Sequence, residues 1–357
     1  MQKSNSPNSI AIWAITPGGI ALATAMDSAI GDCELFFPKS NEIYNNSVTQ
    51  FDSLASAMGL YFHEYKCHVF IMAVGIVVRL IAAYLKNKCV DPAVVVMDEK
   101  AQHVISLLSG HIGGANRLAV FISDITGATP VITTATDVNH VPAIDVLAKD
   151  LNLYIENPEA IKWVNMALII GAPIYLHDPY SILNHCLGNH ALLINETGCQ
   201  QSSCCIWVDD QYITQSDHPK TLILRPKTLC CGIGCNRGTQ LDELKQVLLD
   251  VFHKHSLSVQ SIRGLASIDI KSDEMGLLSL AHDVLTPIYF FSKSELSSVR
   301  NIQTPSAIVK KCIGVASVCE AASLLASGNG NLIVPKQTSG NVTIAVSRIN
   351  LSKQNEK

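Results

Sequence analysis

Charge is scarce in this 357-residue chain: Asp, Glu, Lys and Arg make up 16% of it, and the formal net charge is only −4. A balance this close to neutral argues against a general nucleic-acid or membrane-surface binder, so any anionic ligand must be held by a local positive site. Long hydrophobic runs are also lacking. The most apolar one, "VFIMAVGIVVRLIAAYL" (69–85), carries Arg79 and a central glycine, and it reads as a buried strand followed by a helix rather than a membrane span. The opening "MQKSNSPNSI" has no apolar core of a secretion signal, so a soluble cytoplasmic protein is the expectation. The 12 cysteines form no paired CxxC clusters and no Cys/His zinc spacing, which predicts reduced, mostly buried thiols and no metal site. Walker A and GxGxxG loops are missing, as are internal repeats and low-complexity tracts.

What is present is apolar material, 48% of the residues, enough for two or three domains at roughly 150 residues each. Short β-branched runs alternate with helical patterns. "IAIWAI", "CELFFP" and "HVFIMA" read as strands, and "AVVVMDE" and "HVISLLS" as a hairpin around "KAQ". "ANRLAVFISDITG" reads as a helix that Gly127 caps. The predicted fold class is multi-domain α/β, with mostly parallel sheets covered by helices on both faces. The expected divisions are an N-terminal α/β domain over 1–138, a smaller middle α/β region over 139–220 and a C-terminal α/β domain over 221–357. In the last, "TLILRPKTLCCGIGC" reads as one strand running into a glycine turn, and "TQLDELKQVLLDVFHKH" as a helix with a core-facing stripe.

Three glycine turns stand between strands and helices: "TPGG" (16–19), "SGHIGGAN" (109–116) and "GIGCNRGT" (232–239). A helix that begins at such a turn presents amides without intrahelical partners, which favour a carboxylate or a developing oxyanion. In the second turn His111 is a candidate general acid or base, and Asn116 a candidate oxyanion donor beside the Gly113 and Gly114 amides. "VITTATD" ends in Thr133, Thr134 and Asp137, which would face the same cleft as His111 because ligands gather beyond the carboxyl ends of strands. Arg79, Arg117 and Arg237 are candidate anion-binding residues, Arg79 because a charge within an apolar stretch calls for a cleft or a buried partner. Thr239 is a plausible N-cap for the helix that follows the third turn.

The motifs "VGIVVRLIAAYL", "DPAVVVMDE", "ISLLSGHIGGANRLA" and "PVITTATD" together resemble the N-terminal region of the CbiG family, the cobalt-precorrin-5A hydrolases. "GIGCNRGT", "LASIDIKSDEMGLLSLA", "PIYFFS", "GVASVCEAASLLASG" and "NLIVPKQTSGNVTIAVSR" resemble that family's C-terminal domain, in the family's order over about 50–348. Asn236 departs from the basic residue expected in "GCRRG"-like versions, so the anion role of that turn rests on Arg237. The resemblance implies hydrolysis of the ring-A δ-lactone of cobalt-precorrin-5A, with loss of acetaldehyde and formation of cobalt-precorrin-5B. It also implies a corrinoid substrate that carries its own cobalt, no further cofactor, and contact with other enzymes of the cobalamin pathway. The alternative it leaves is a carrier that binds a tetrapyrrole intermediate unchanged.

Overall fold

The computed structural model describes residues 10–39, 48–87, 90–188, 190–194, 202–212, 219–307, 311 and 314–350. The polar opening residues 1–9 therefore lie outside the described residues. The chain divides into two compact units, Met1–Val146 and Leu147–Lys357.

The first unit is built on strands whose sequences are apolar on both faces. These are β1 (Ile10–Ala14), β2 (Cys33–Pro38), β3 (Val48–Phe51), β4 (Cys67–Ile71), β5 (Ala93–Met97), β6 (His103–Leu108) and β7 (Thr129–Val131). They form one sheet in the order β3-β2-β1-β4-β5-β6-β7, parallel from β3 to β5. β6 returns antiparallel to β5 as the expected hairpin, and β7 pairs parallel to β6. The Asp98 carboxylate ties the hairpin turn by accepting from the amides of Lys100, Gln102 and His103.

Period-two alternation sends neighbouring side chains into two separate cores. Ile12, Val69 and Val95 pack against Met26 of α1 (Pro17–Ile30) and Ala119 and Ile122 of α4 (Ala115–Thr126). Trp13, Phe70 and Val96 pack on the other face against Met58 of α2 (Leu54–Tyr61) and Val77 and Ile81 of α3 (Val74–Ile81). Helices therefore cover both faces, as the strand patterns require. Gly127 closes α4 in the left-handed conformation, at φ 74°.

The second unit holds two five-stranded sheets. One runs β10 (Leu192–Ile194), β9 (Pro173–His177), β11 (Cys204–Val208), β12 (Thr221–Pro226), β8 (Leu153–Ile155), with only β8 antiparallel to its neighbour. The other runs β15 (Ile288–Phe291), β14 (Ile262–Ile268), β13 (Leu229–Cys235), β17 (Val342–Arg348), β16 (Asn331–Ser339). Its β13, β14 and β15 are parallel, while β16 and β17 form an antiparallel hairpin around Gly340 and Asn341.

The single strand expected over 221–235 is two strands in different sheets. Pro226 offers no amide to a ladder, and the chain leaves the first sheet there before re-entering as β13. Gly232 and Gly234 lie within β13 rather than in a turn. A Cβ on Gly232 would overlap the Cys319 carbonyl oxygen, so the glycine lets α12 (Val318–Ala326) pack directly on the strand. The core stripe of α9 (Leu241–Lys254) is as expected, with Leu244, Val247, Leu248 and Val251 buried. Its N-cap is Gln240, not Thr239, whose hydroxyl donates to the Asn236 carbonyl instead.

Among the described cysteines, Cys230 and Cys231 are free and buried, and burial pushes the Cys230 thiol up to about 11 and that of Cys231 higher still. Both are packing groups. Cys205 departs from the expectation of reduced thiols, because it is disulfide-bonded.

Candidate active site

The turn after β6 is shaped by close approaches. Ser109 adopts φ 56°, and Gly114 takes φ 94° as the N-cap of α4. A Cβ on Gly113 would lie 2.7 Å from the Ser109 carbonyl oxygen, and one on Gly110 would lie 2.7 Å from Asn116 Oδ1. The turn also consumes its own amides. Gly114 N–H donates to the His111 carbonyl, Ala115 N–H to Ser109 and Asn116 N–H to Gly110. This corrects the oxyanion role expected of the Gly114 amide, since the tight turn directs that donor back into the loop. The Gly113 amide makes no hydrogen bond among the described residues.

Folding the turn this way brings His111 to Asp137, as expected, and to two groups that sequence reasoning missed. His111 Nε2 lies 2.9 Å from the Thr136 hydroxyl and 3.3 Å from Asp137 Oδ2. His111 Nδ1 lies 3.5 Å from Oδ2 of Asp145, on α6 (Ile144–Asp150), whose carboxylate is almost wholly buried. The Asp145 carboxylate holds the imidazole above its ordinary pKa, with Asp137 adding to the effect and partial burial opposing it. A carboxylate at one ring nitrogen and a hydroxyl at the other is the geometry that orients an imidazole for proton transfer.

Asn116 is a positioning residue rather than the expected oxyanion donor. Both Nδ2 protons are committed, to the Thr134 hydroxyl at 2.8 Å and to Asp137 Oδ2 at 3.0 Å, while Oδ1 accepts from the Ser106 hydroxyl at 2.7 Å. Thr134 also donates to Asp137 Oδ2, at 2.6 Å. Asn116 and Thr134 thus both donate to one oxygen of Asp137, with His111 Nε2 beside it, and Oδ1 is left open among the described residues. Short α5 (Ala135–Val138) sets Thr136 and Asp137 one after the other, with Thr136 buried and Asp137 exposed.

The remaining candidates stand apart from this cluster. Arg79 is exposed on α3 and donates to the Gly75 carbonyl of its own helix, because helical spacing turns Val77 and Ile81 inward and Arg79 outward. It has neither the cleft nor the buried partner expected. Thr133 and Arg117 are exposed. Arg237 belongs to the second unit, where it is exposed and paired with Asp273 at 3.0 Å and with the Ile270 carbonyl.

The idea that all three glycine turns receive external anions is likewise revised. Thr16 caps α1 and donates to the Glu99 carboxylate at 2.7 Å, and Gly238 N–H donates to Glu274 at 2.8 Å. Protein carboxylates already stand at those two turns.

The position of the cluster in the sheet follows from the hairpin. Val94 faces Leu108 and Met97 faces Val104, so the carboxyl ends of β6 and β7 lie at the amino ends of β1, β4 and β5. At the opposite end of the sheet lies a largely apolar cavity of about 590 Å³, lined by Ile71, Met72, Val74, Met97 and Glu99.

Comparison with known proteins places the chain. Three family models match successive segments: "Cobalamin synthesis G N-terminal" over 56–137, "Cobalamin biosynthesis central region" over 142–226 and "Cobalamin synthesis G C-terminus" over 229–347. A Priestia megaterium protein named cobalt-precorrin-5A hydrolase is 33% identical over 358 residues, covering 95% of this chain and 94% of that protein. A Salmonella typhimurium protein of the same name is 34% identical over 357 residues, covering 95% and 97%. The chain belongs to the cobalamin synthesis G family.

A solved structure of a cobalamin biosynthesis protein G homolog from Sulfolobus solfataricus is 24% identical, with a TM-score of 0.35 and coverage of 97% of this chain and 99% of that one. In this member of the family, no helix among the described residues is long and apolar enough to cross a membrane. Nor does any group of three or more His, Cys, Asp or Glu among those residues have the arrangement of a metal site. The His111 cluster falls in the segment matched by the N-terminal family model, except for Asp145, which falls in the central one.

Proposed function

We propose that this chain is a cobalt-precorrin-5A hydrolase, which opens the ring-A δ-lactone with water and releases acetaldehyde to give cobalt-precorrin-5B. The observation that carries the reading is His111 held between Asp145 on Nδ1 and Thr136 and Asp137 on Nε2. With Nδ1–H directed at Asp145, neutral His111 offers the Nε2 lone pair to a water proton as that water adds to the lactone carbonyl. Asp145 and Asp137 stabilise the imidazolium that results, and the Gly113 amide is the donor at hand for the carbonyl oxygen.

Lactone opening frees a hydroxyl on the methylated bridge carbon. Removal of its proton by His111 or by Asp137 Oδ1 lets that oxygen form the acetaldehyde carbonyl. The bond to the ring breaks, and its electron pair passes into the conjugated macrocycle. One water is consumed and no electron leaves the system, so the step calls for no redox cofactor. The cobalt arrives with the substrate.

The test is anaerobic incubation of the purified chain with cobalt-precorrin-5A, following acetaldehyde and product mass together. Stoichiometric acetaldehyde with ring-opened product is the expected result, and His111→Ala lowers turnover by about 10²-fold or more. Tight binding of the macrocycle with no acetaldehyde would make the protein a carrier and end this reading.

A further inference from the structure

Within the second unit, a cavity of about 440 Å³ is bounded by the start of β8, the segment at 180–186, the link between β12 and β13, and β14. Its lining includes Lys227, Arg263, His185 and Tyr180, and among the described residues it contains no Asp or Glu. Lys227 is half-buried in the link between the two strands, and Arg263 is exposed on β14 at the mouth of the recess. Among the described residues neither cation has an ion-pair partner or a side-chain hydrogen bond. The nearby Asp210 does not neutralise them, because its carboxylate is occupied. It takes two hydrogen bonds from Arg348, both at 2.7 Å, one from Thr228 at 2.6 Å and one from Tyr180 at 3.3 Å.

Positive charge with no counter-charge is costly to hold in a partly desolvated recess. Burial accordingly pushes the Lys227 ammonium below its ordinary pKa. The chain as a whole is acidic, at −4, so acids that could have neutralised this recess are plentiful elsewhere but are not among its lining residues. Such a recess attracts an anion, and Arg supplies planar, bidentate recognition of an oxyanion where Lys supplies a point charge.

We infer that this cavity is a binding site for a small oxyanion ligand with two negative charges, a dicarboxylate or a phosphate, held by Lys227 and Arg263 with His185 at the rim. This inference does not rest on the reaction proposed for the first unit.

The test is calorimetric titration of the full chain at low ionic strength with succinate, with inorganic phosphate and with neutral succinamide. NMR of the lysine side-chain nitrogens runs alongside. One or both anions bind and succinamide does not. Lys227→Gln weakens binding by about tenfold or more, as loss of one member of a partly desolvated charge pair does, and Arg263→Gln, at an exposed position, weakens it by about threefold or more. Lys227 in the unmodified chain titrates at higher pH when the anion is bound, which keeps the test valid should a variant misfold. Tighter binding of succinate assigns the site to carboxylates, and tighter binding of phosphate to phosphates. Absence of heat with both anions, equal affinity for succinamide, or unchanged affinity in both variants would overturn the site.

Discussion

Asp145 Oδ2 lies 3.5 Å from His111 Nδ1, and this contact between a buried carboxylate and a half-buried imidazole is the main cause of the raised His111 pKa. Asp145→Asn removes the charge and keeps the volume, so the His111 pKa falls toward or below about 6.5. A raised folded pKa contributes stability that is fully present below the unfolded value and is lost as pH rises through the folded one. The Asn variant loses that contribution. Histidine ring titration by NMR checks the shift, and an unchanged His111 titration would remove Asp145 from this role.

Asn116→Ala tests positioning rather than chemistry. Of the two groups that donate to Asp137 Oδ2, Thr134 would remain, but Ser106 would lose its acceptor. Turnover falls by roughly tenfold, in line with about 1–3 kcal/mol for a broken buried hydrogen-bond network, and the pH profile shifts with it. A loss of turnover with an unaltered pH profile would reduce Asn116 to a structural group.

Much of the first unit was legible because its signals are local. The β5–β6 hairpin, the His111 turn and the Gly127 cap each lie within a few residues of the features that specify them. Asp145 was not legible, because it comes from a helix beyond α5 and no periodicity links it to His111. Arg79 misled for a physical reason: one charge in an apolar run suggests burial, but three residues per turn and a fraction suffice to put it outside while Val77 and Ile81 point in. At 221–235 the hydrophobic run hid a change of sheet that only Pro226 signalled. The glycines of "GIGCNRGT" read as a turn that receives an anion, whereas Gly232 answers to helix packing, a contact with residues far along the chain.

His68 makes the first unit acid-sensitive. It is fully buried, accepts from Trp13 Nε1 at Nδ1 over 3.0 Å, and directs Nε2 at the Phe62 carbonyl over 3.0 Å. Because the indole can only donate, the neutral tautomer with the proton on Nε2 satisfies both contacts. Burial lowers its pKa to about 4. Stability is therefore intact above the unfolded value of about 6.5 and falls as pH drops toward the folded value, by about 3 kcal/mol across the window. Denaturant unfolding monitored by tryptophan fluorescence should show this slope, and His68→Phe should flatten it. An equal slope in the variant would show that other groups control acid unfolding.

Gly232→Ala should destabilise the second unit severely. The added methyl would overlap the Cys319 carbonyl oxygen and approach the Ser323 amide at 2.7 Å, both backbone groups of α12 that cannot rotate away. The helix must lift from β13, at a cost of about 3 kcal/mol or more. Thermal unfolding of the variant is the measurement, and a stability within error of the unmodified chain would mean that α12 is less tightly seated than its geometry implies.

Asp210 joins the two sheets of the second unit. It follows β11 of one sheet, while Thr228 precedes β13 and Arg348 ends β17 of the other. Its carboxylate is wholly buried and accepts from Arg348, Thr228 and Tyr180, and its backbone carbonyl accepts from the Ser258 amide. Asp210→Asn keeps the shape but replaces an acceptor oxygen with a donor and leaves the Arg348 guanidinium without its counter-charge. Breaking one side of a buried pair in this way costs about 3–5 kcal/mol. The double variant Asp210→Asn/Arg348→Met should recover part of that loss, because it removes the stranded charge as well. Denaturant midpoints of the single and double variants decide the matter: no recovery in the double variant would show that the carboxylate acts through Thr228 and Tyr180 rather than through the ion pair.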